Sequence, residues 1–511
     1  MLSHRTMVHN TERLTRILAS GHPAVGVTVS RETVEALGAR TVAGLPDSAT
    51  VLAFAGRLRP LLDTLGDGHA MLWPRGARWR ALLQPPRRVL PLSLKPADDG
   101  HLRVAGVSPT LRGALVDPAR ADSLTYDSLL RGRAVLSVDG EVAGNLVAES
   151  SWFTGGSDGV NRSGQRAYAT ERLGGHLAWS RGPRDRFAVT LATRRGDTTV
   201  VLPAFDPVAW RRGRPQPTLD DQAVDSATTT TPADTIGARR VARSARTARP
   251  PRRMRPSRRS RAINYGFDST RRVAVAQVAT FAAPGDPFNV WWPYALRRTV
   301  RQMRRDGARA VVLDLRGNGG GRTANVARLL RYLVAERTPV YGPWTFPVGG
   351  WVRADAAYKP FLLPSLLLGR GPRRRFGRVM RHAVRPRGPS RRVGLPLVVL
   401  SDAQTFSAAA TTAAVLRSTG RAVVAGEESG GGYAQTFAGL FSRKRLGRSG
   451  LQLRLPAFHI PLAVDPSVQP LDRGVLSDVP LALTEADLRD PRDLVLLGAL
   501  ELAARAQQTG G

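Results

Sequence analysis

Residues 310–322 constrain the fold of this chain most, because an apolar run opens directly into glycines and then leads into a helix-like segment at 323–333. Val311, Val312 and Leu313 are typical of a strand that is buried on both faces of a parallel sheet. A glycine-rich turn after such a strand presents bare backbone N–H groups to a ligand. This stretch therefore predicts a ligand site at the end of a buried strand.

A turn of this kind has two common ligands, a phosphate and the oxyanion of an acyl-transfer reaction. A dinucleotide-binding fingerprint that began at Gly317 would need glycine where Arg322 stands. The Gly-Lys-Ser/Thr of a P-loop is also absent from the turn. The residues therefore favour oxyanion binding, which requires a nucleophile elsewhere in the chain.

Ser407 is the candidate nucleophile. It follows a second apolar strand, at 397–400, and it begins an alanine-rich helix at 408–417. Its Oγ would lie near the positive end of the helix dipole, and the amide of Ala408 could face the same oxygen as the glycine turn. The alternative is a serine that only caps the helix, and this segment alone does not decide between the two.

Four motifs in order resemble the tail-specific, or C-terminal-processing, serine peptidases. Residues 314–321 read Asp-Leu-Arg-Gly-Asn-Gly-Gly-Gly, and they are followed by Thr-Phe-Ser-Ala-Ala at 405–409 and Gly-Glu-Glu-Ser-Gly-Gly-Gly at 426–432. Residues 472–478 are similar to the family's Gly-Val-x-Pro-Asp signature, with Ser477 in place of proline. The family includes the tricorn protease core and the repeats of the interphotoreceptor retinoid-binding protein. The resemblance covers residues 264–505 well.

The resemblance implies an α/β catalytic domain of the crotonase/Clp-protease-like spiral type and peptide hydrolysis through an acyl-enzyme. Ser407 would attack the carbonyl carbon. The amides of Gly320 and Ala408 would bind the oxyanion, with Gly319 or Gly321 as alternatives to Gly320.

Asp-Gly-His at 67–69 matches the Asp-Gly-His-Thr of the tricorn-like branch, which implies that His69 is the general base. The alternative is a histidine with a structural role. The processing-peptidase branch instead uses a lysine in the segment that is here 426–432, where no lysine occurs. A Ser-Lys pair would therefore need Lys359 or Lys444.

The acid that orients the base is not fixed by the resemblance. Tricorn-like enzymes carry a glutamate where this chain has Leu471. Asp472, Asp67 and Glu427, in that order, are the residues predicted to orient His69.

Composition excludes several kinds of site. The chain has no cysteine, so disulfides, a thiol nucleophile and a cysteine-zinc site are ruled out. Its eight histidines show no metal-ligand spacing, and we expect no metal and no cofactor. The formal net charge of +36 comes from arginine and predicts attraction to polyanions or anionic membranes through the arginine-rich segments.

The sequence predicts four segments: an N-terminal helical domain that carries His69 (1–85), a PDZ-like β-rich domain (86–210), an Arg/Pro/Thr-rich disordered linker (211–262) and a catalytic domain (263–511) with an Arg-rich insert (370–392). In the catalytic domain, strands and helices alternate, which predicts a parallel-rich sheet. Residues 130–141 resemble the hairpin of PDZ-like domains, which bind an extended peptide by strand addition. The alternative there is an ordinary hairpin at Asp139-Gly140.

The leading functional hypothesis is a serine-type peptidase that acts on peptides or unfolded proteins. A non-catalytic peptide-binding or hydrophobic-ligand-binding protein on the same fold is the second, and an arginine-rich polyanion binder is the third. Residues 1–24 lack the apolar core of a secretory signal. Because relatives of this family are often exported, the compartment and the oligomeric state stay open.

Overall fold

The computed structural model describes residues 1–74, 88–97, 100–112, 114, 116, 124–193, 196–207, 262–282, 288–349, 359–360, 363, 367, 373–375, 383–481, 483–490 and 492–509. The predicted linker at 211–262 lies outside the described residues except for Ala262. The predicted insert at 370–392 is described only at 373–375 and 383–392.

The helices of the described residues are, in chain order, α1 His4–Gly21, α2 Arg31–Ala43, α3 Val51–Asp63, α4 Tyr126–Leu130, α5 Ala143–Ser151, α6 Ser163–Glu171, α7 Leu173–Ser180, α8 Trp291–Arg305, α9 Thr323–Leu333, α10 Ala408–Ser418, α11 Glu485–Arg489 and α12 Leu494–Thr509. Short 3-10 turns occur at Pro389–Arg391 and Gly447–Ser449. None of these described helices combines the length and the apolar character needed to cross a bilayer.

The strands of the described residues are β1 Leu2–Ser3, β2 Ser48–Ala49, β3 Met71–Pro74, β4 Leu92–Pro96, β5 Leu102–Val107, β6 Ala134–Val138, β7 Glu141–Val142, β8 Arg186–Thr193, β9 Gly196–Pro203, β10 Ile263–Asp268, β11 Val273–Val278, β12 Ala310–Asp314, β13 Thr338–Pro339, β14 Thr345–Pro347, β15 Arg373–Arg375, β16 Ala383–Val384, β17 Leu397–Ser401, β18 Val423–Gly426, β19 Gln435–Leu446, β20 Leu451–Pro461 and β21 Val479–Pro480.

The central sheet has the order β10-β11-β12-β17-β18-β21, and only β10 runs antiparallel to its neighbour. Every residue of β12 and β17 is buried, as the sequence predicts for strands inside a parallel sheet. Helices α8, α9 and α10 pack on one face around Trp292 and Leu330, and α12 covers the other face with Leu500. The predicted α/β architecture of the catalytic domain is confirmed.

The register of this sheet brings two loops together. Because β12 and β17 are parallel neighbours, with Asp314 opposite Leu400, the turns that follow them meet at one edge of the sheet. The amide of Gly317 donates to the carboxylate of Asp402 at 3.0 Å. Arg316 bridges Asp314 and Asp493, which anchors the glycine turn.

The N-terminal helices pack against the catalytic domain instead of standing apart. One core joins Leu14 and Phe54 of these helices to Phe437 and Leu453 of the β19–β20 hairpin. Strand β3 pairs antiparallel with β20, which ties the chain after α3 to the catalytic domain. Helix α3 begins at Val51, because β2 pairs with β1 before Thr50 caps the helix.

The middle region forms an antiparallel sheet of order β4-β5-β6-β8-β9, with β7 paired to β6 and with α5, α6 and α7 beside it. A hairpin turn occurs at the predicted place, with positive φ at Asp139 and Gly140. In the arginine-rich insert, β15 pairs with β14, and Arg373 donates to the carbonyls of Pro23 and Val25. That part of the insert therefore forms a strand.

Candidate active site

Ser407 occupies the N-cap position of α10 but does not cap it. Its backbone has φ 53° and ψ −121°, and its side chain makes no capping hydrogen bond. Its Oγ instead lies 3.1 Å from Nε2 of His69. Positive φ at a non-glycine residue is strained and is typical of functional positions. These observations favour the nucleophile interpretation over the capping one.

The loop before Ser407 is fixed by hydrogen bonds to the glycine turn. The amide of Phe406 donates to the carbonyl of Asn318 at 3.0 Å, and the Thr405 hydroxyl donates to the carbonyl of Leu315 at 3.0 Å. From the other side, the amide of Gly431 donates to the carbonyl of Thr405 at 3.1 Å. The position of the nucleophile therefore depends on two separate loops.

His69 reaches Ser407 from the N-terminal region, across 338 positions of sequence. It lies in the turn between α3 and β3, and 7% of its surface is exposed. The imidazole ring packs between Phe406, with centroids 4.5 Å apart, and Phe441, at 5.6 Å. These two rings restrict the orientation of the imidazole.

Asp67 lies beside His69 and is held in place by His22. One oxygen of Asp67 accepts the amide of His69 at 2.7 Å, and the other accepts Nε2–H of His22 at 2.9 Å. The amide of Ala24 donates to Nδ1 of His22 at 3.1 Å, so the His22 proton is on Nε2. Burial opposes ionisation of Asp67, but its contacts with His22 and His69 outweigh burial and lower its pKa to about 2.

Nδ1 of His69 is buried and has no hydrogen-bond partner among the described residues. The nearer oxygen of Asp67 is 3.6 Å from it. Asp158 also lies close, and it accepts the amides of Gly68 at 2.9 Å and Gly432 at 3.2 Å. Burial raises the pKa of Asp158 to about 6; His69 opposes this rise, and the charge of Asp67 adds to it.

In the described part of the chain, one set of three metal-ligating side chains converges: Asp67, His69 and Asp158, with one donor atom of each within 4.8 Å of the others. The sequence spacing of the histidines does not reveal this set, because it is assembled from two distant segments. All four carboxylate oxygens already accept hydrogen bonds from backbone amides or from His22. We therefore interpret the set as the charge environment of His69.

The glycine turn lies directly against Ser407. A Cβ built on Gly320 would come within 2.7 Å of the Ser407 Cβ. The amide of Gly320, however, donates to Oδ1 of Asn318 at 2.9 Å. The backbone hydrogen bonds among described residues leave the amides of Gly319, Gly321 and Ala408 without an acceptor.

Two of the three predicted orienting acids do not contact His69. The side chains of Asp472 and Glu427 are exposed, and neither hydrogen-bonds the imidazole. The carbonyl of Asp472 accepts the amide of Val160 at 3.0 Å. Lys444 lines a separate cavity with residues of α1, so it is not the partner of Ser407.

A cleft of about 1270 Å³ contains Ser407 and His69. One part of its wall is apolar and aromatic: Tyr341, Trp344, Phe458 and Ile460. The charged residues of its lining are Glu171, Arg172, Arg322 and Arg454. The cleft is large enough for several side chains of an extended peptide.

Sequence reasoning missed three residues of this site. Asn318 links the turn to the sheet, because its side chain donates to the carbonyl of Val278 at 2.6 Å, and its place inside the glycine motif was a usable signal. His22, in a His-Pro pair after α1, and Asp158, in a glycine-rich stretch, carried no pattern that distinguishes them from loop residues.

Comparisons with known proteins place this geometry in a family. The model of peptidase family S41 matches residues 272–479, which include the glycine turn and Ser407. Over this segment the chain is similar to the peptidases of family S41. The match supports a serine-type peptidase, a hydrolase whose substrates are peptides or proteins, and so confirms the predicted function class.

The chain is also similar to several solved structures. Mature CPAF aligns over 100% of this chain and 99% of its own, with a TM-score of 0.61 and 14% identity. The photosystem II D1 C-terminal processing protease covers 99% of this chain and 98% of its own, with a TM-score of 0.42 and 17% identity. The tricorn protease covers 99% of this chain and 37% of its own, with a TM-score of 0.39 and 12% identity. None of the curated proteins matches the chain.

Proposed function

We propose that this peptidase works through an acyl-enzyme on Ser407, with His69 as the general base. The 3.1 Å contact between Ser407 Oγ and His69 Nε2 inside the cleft carries this proposal. Oγ attacks the substrate carbonyl while its proton passes to Nε2, and Nε2 then gives that proton to the leaving amine. A water molecule, deprotonated by the same nitrogen, then hydrolyses the ester and restores Ser407.

The amides of Gly321 and Ala408 are proposed to bind the oxyanion. Phe281 donates to the carbonyl of Gly320 and accepts from the amide of Arg322, so the intervening amide of Gly321 points away from Phe281. The Gly320 amide predicted for this role is bound to Asn318 instead. A donor of this type contributes roughly 100- to 1,000-fold to the rate.

Asp67 is proposed to orient His69. It is ionised and anchored by His22, and its carboxylate lies 3.6 Å from Nδ1. Catalytic hydrogen bonds are often long before substrate binds and shorten in the complex. The negative charge favours the imidazolium that forms when Nε2 takes the serine proton.

A tail-specific or C-terminal-processing activity is the narrower proposal. In it, the middle region acts as a PDZ-like domain that binds a substrate C-terminus by strand addition at the edge of its six-stranded sheet. The hairpin at Asp139-Gly140 supports that proposal.

The crotonase/Clp-like spiral is supported by the parallel strands β11, β12, β17 and β18 with helices packed over them. The aromatic wall of the cleft favours apolar side chains next to the scissile bond.

A non-catalytic binding protein is the second candidate, favoured by the absence of a hydrogen-bonded acid at Nδ1 of His69 in the described chain. Polyanion binding is a weaker third candidate. Besides the arginine-rich segments, its support is a basic cavity of about 370 Å³ lined by His9, Arg13, Arg16 and Lys444. Binding through that cavity would weaken steeply as salt is raised.

The test is cleavage of an unfolded protein with an apolar C-terminus by the wild type, Ser407→Ala and His69→Ala. Both variants should lose activity while circular dichroism shows an intact fold. Activity that survives in Ser407→Ala would refute the acyl-enzyme proposal. Loss at Ser407 alone would show that another group is the base.

A further inference from the structure

Asp158 connects the two loops that hold the proposed catalytic pair. It follows α5 in the middle region, and only 2% of its surface is exposed. One carboxylate oxygen accepts the amide of Gly68, next to His69, and the other accepts the amide of Gly432. The amide of Asp158 donates to the carbonyl of Gly430 at 2.8 Å.

The Gly430–Gly432 stretch packs under the nucleophile. A Cβ on Gly431 would come within 2.9 Å of the Ser407 amide. The segment around Asp158 also pairs with the His69 turn, since the amides of Gly156 and Gly159 donate to the carbonyls of Gly68 and Gly66. A single buried carboxylate therefore spans the His69 turn and the loop beneath Ser407.

A second observation concerns Nδ1 of His69. For Nε2 to accept the serine proton, Nδ1 must carry the other ring proton, and in the described chain this buried nitrogen has no acceptor. Both oxygens of Asp67 already accept other donors, the His69 amide and His22. A donor atom of His69 and an oxygen of Asp158 lie within 4.8 Å of each other.

We propose that Asp158 is a second positioning carboxylate for this reaction, which holds the His69 turn against the nucleophile loop and stabilises the imidazolium with its negative charge. The inference rests on the proposed Ser407–His69 mechanism. No proton passes to Asp158: the serine proton moves to Nε2, the bond from Oγ to the substrate carbon forms, and Asp158 stays ionised throughout.

The charges around Asp158 set the pH range in which it acts. His69 and Asp67 face it directly, and Asp67 in turn faces His22 and Arg454. Because burial raises the pKa of Asp158 to about 6, the carboxyl is neutral below that pH and its support is lost. Activity then requires both an ionised Asp158 and a neutral His69, so the acid limb of kcat/KM should fall with a slope steeper than one proton.

The experiment is the pH profile of kcat/KM from pH 5 to 8.5 for the wild type and Asp158→Asn, with a peptide substrate. A unit charge within about 5 Å of the imidazolium, at an effective dielectric of about 20, changes the rate roughly a hundredfold, so the plateau of Asp158→Asn should fall by about that factor. The loss should appear in kcat. The acid limb should become a one-proton limb with a different midpoint, because the Asp158 carboxyl no longer titrates.

Asp402→Asn is the matched control. Its carboxylate also accepts a loop amide, that of Gly317, and burial also raises its pKa. The charges that act on Asp402 are those of Lys95 and Arg316, and not that of His69. This variant should lower the plateau of kcat/KM, because the loop loses a contact that holds it in place. The slope and the midpoint of the acid limb should stay unchanged.

Three results would overturn the inference. One is an Asp158→Asn profile in which the kcat/KM plateau is lower but the slope and the midpoint of the acid limb are those of the wild type. Asp158 would then only hold the two loops together. Another is wild-type activity in Asp158→Asn while Ser407→Ala and His69→Ala are inactive. The third is a one-proton acid limb in the wild-type profile. This result needs no variant, so it applies even if Asp158→Asn does not fold. Activity retained in Ser407→Ala would instead contradict the proposed mechanism itself.

Discussion

Replacing Gly320 with alanine should inactivate the enzyme without preventing its folding. The new Cβ would lie 2.7 Å from the Ser407 Cβ and 2.9 Å from both the Ala408 amide nitrogen and the Phe406 carbonyl oxygen. Carbon contacts prefer about 3.5–4.0 Å, so the glycine turn and the nucleophile must separate by about 1 Å. A misplacement of that size costs roughly a hundredfold in rate.

The backbone of Gly320 adds a second cost. Its φ of 95° is outside the range that alanine adopts easily, and a left-handed conformation costs about 1–2 kcal/mol at a residue with a Cβ. We therefore expect Gly320→Ala to lower the melting temperature by several degrees as well as kcat. The assay is kcat on a peptide substrate together with thermal unfolding followed by circular dichroism.

Gly144→Ala is the control for this substitution. Gly144 lies in α5, and a Cβ there would meet no atom within 4 Å. Alanine is favoured over glycine inside a helix by about 1 kcal/mol, so this variant should keep wild-type kcat and be equally or more stable. A Gly320→Ala enzyme that kept more than half of wild-type kcat would refute the predicted steric effect.

Two further predictions concern the residues behind His69. Asp67→Asn should lower kcat by about 1,000-fold or more with little change in KM, because the imidazolium loses the charge that stabilises it; a loss below tenfold, measured by steady-state kinetics, would remove Asp67 from the mechanism. His22→Ala removes the hydrogen bond that His22 donates to the buried Asp67 carboxylate, and we expect a loss of about 1–3 kcal/mol in the free energy of unfolding together with a lower kcat. Urea unfolding at pH 7 measures the first effect, and an unchanged midpoint would contradict the role given to His22.

The central sheet could be predicted from sequence because its pattern is local. The apolar runs of β12 and β17 are buried at every residue, so composition alone marks them as inner strands. The β19–β20 hairpin could not be predicted in the same way. Strand β19 carries Gly439 at φ 85° beside a register shift between Ala438 and Phe441, which breaks the alternation that identifies a half-buried strand.

The candidate site likewise contains residues that the sequence predicts and residues that it does not. Ser407 and His69 lie in short motifs whose residue types carry the chemistry, and the structure brings the two side chains together. The acids around His69 depend on tertiary packing. Asp472 lies next to the expected sequence position but has an exposed side chain, whereas Asp158 approaches from a glycine-rich loop whose sequence gives no sign of its neighbours.

The acyl-enzyme is the central claim, and trapping it is the most direct test. An activated peptide ester, quenched with acid within milliseconds of mixing and followed by peptide mapping with mass spectrometry, locates any covalent acyl group. We expect the acyl mass on Ser407 in the wild type and no acyl mass in His69→Ala. An acyl group on another residue, or normal turnover of the ester with Ser407 unmodified at every time point, would contradict this expectation.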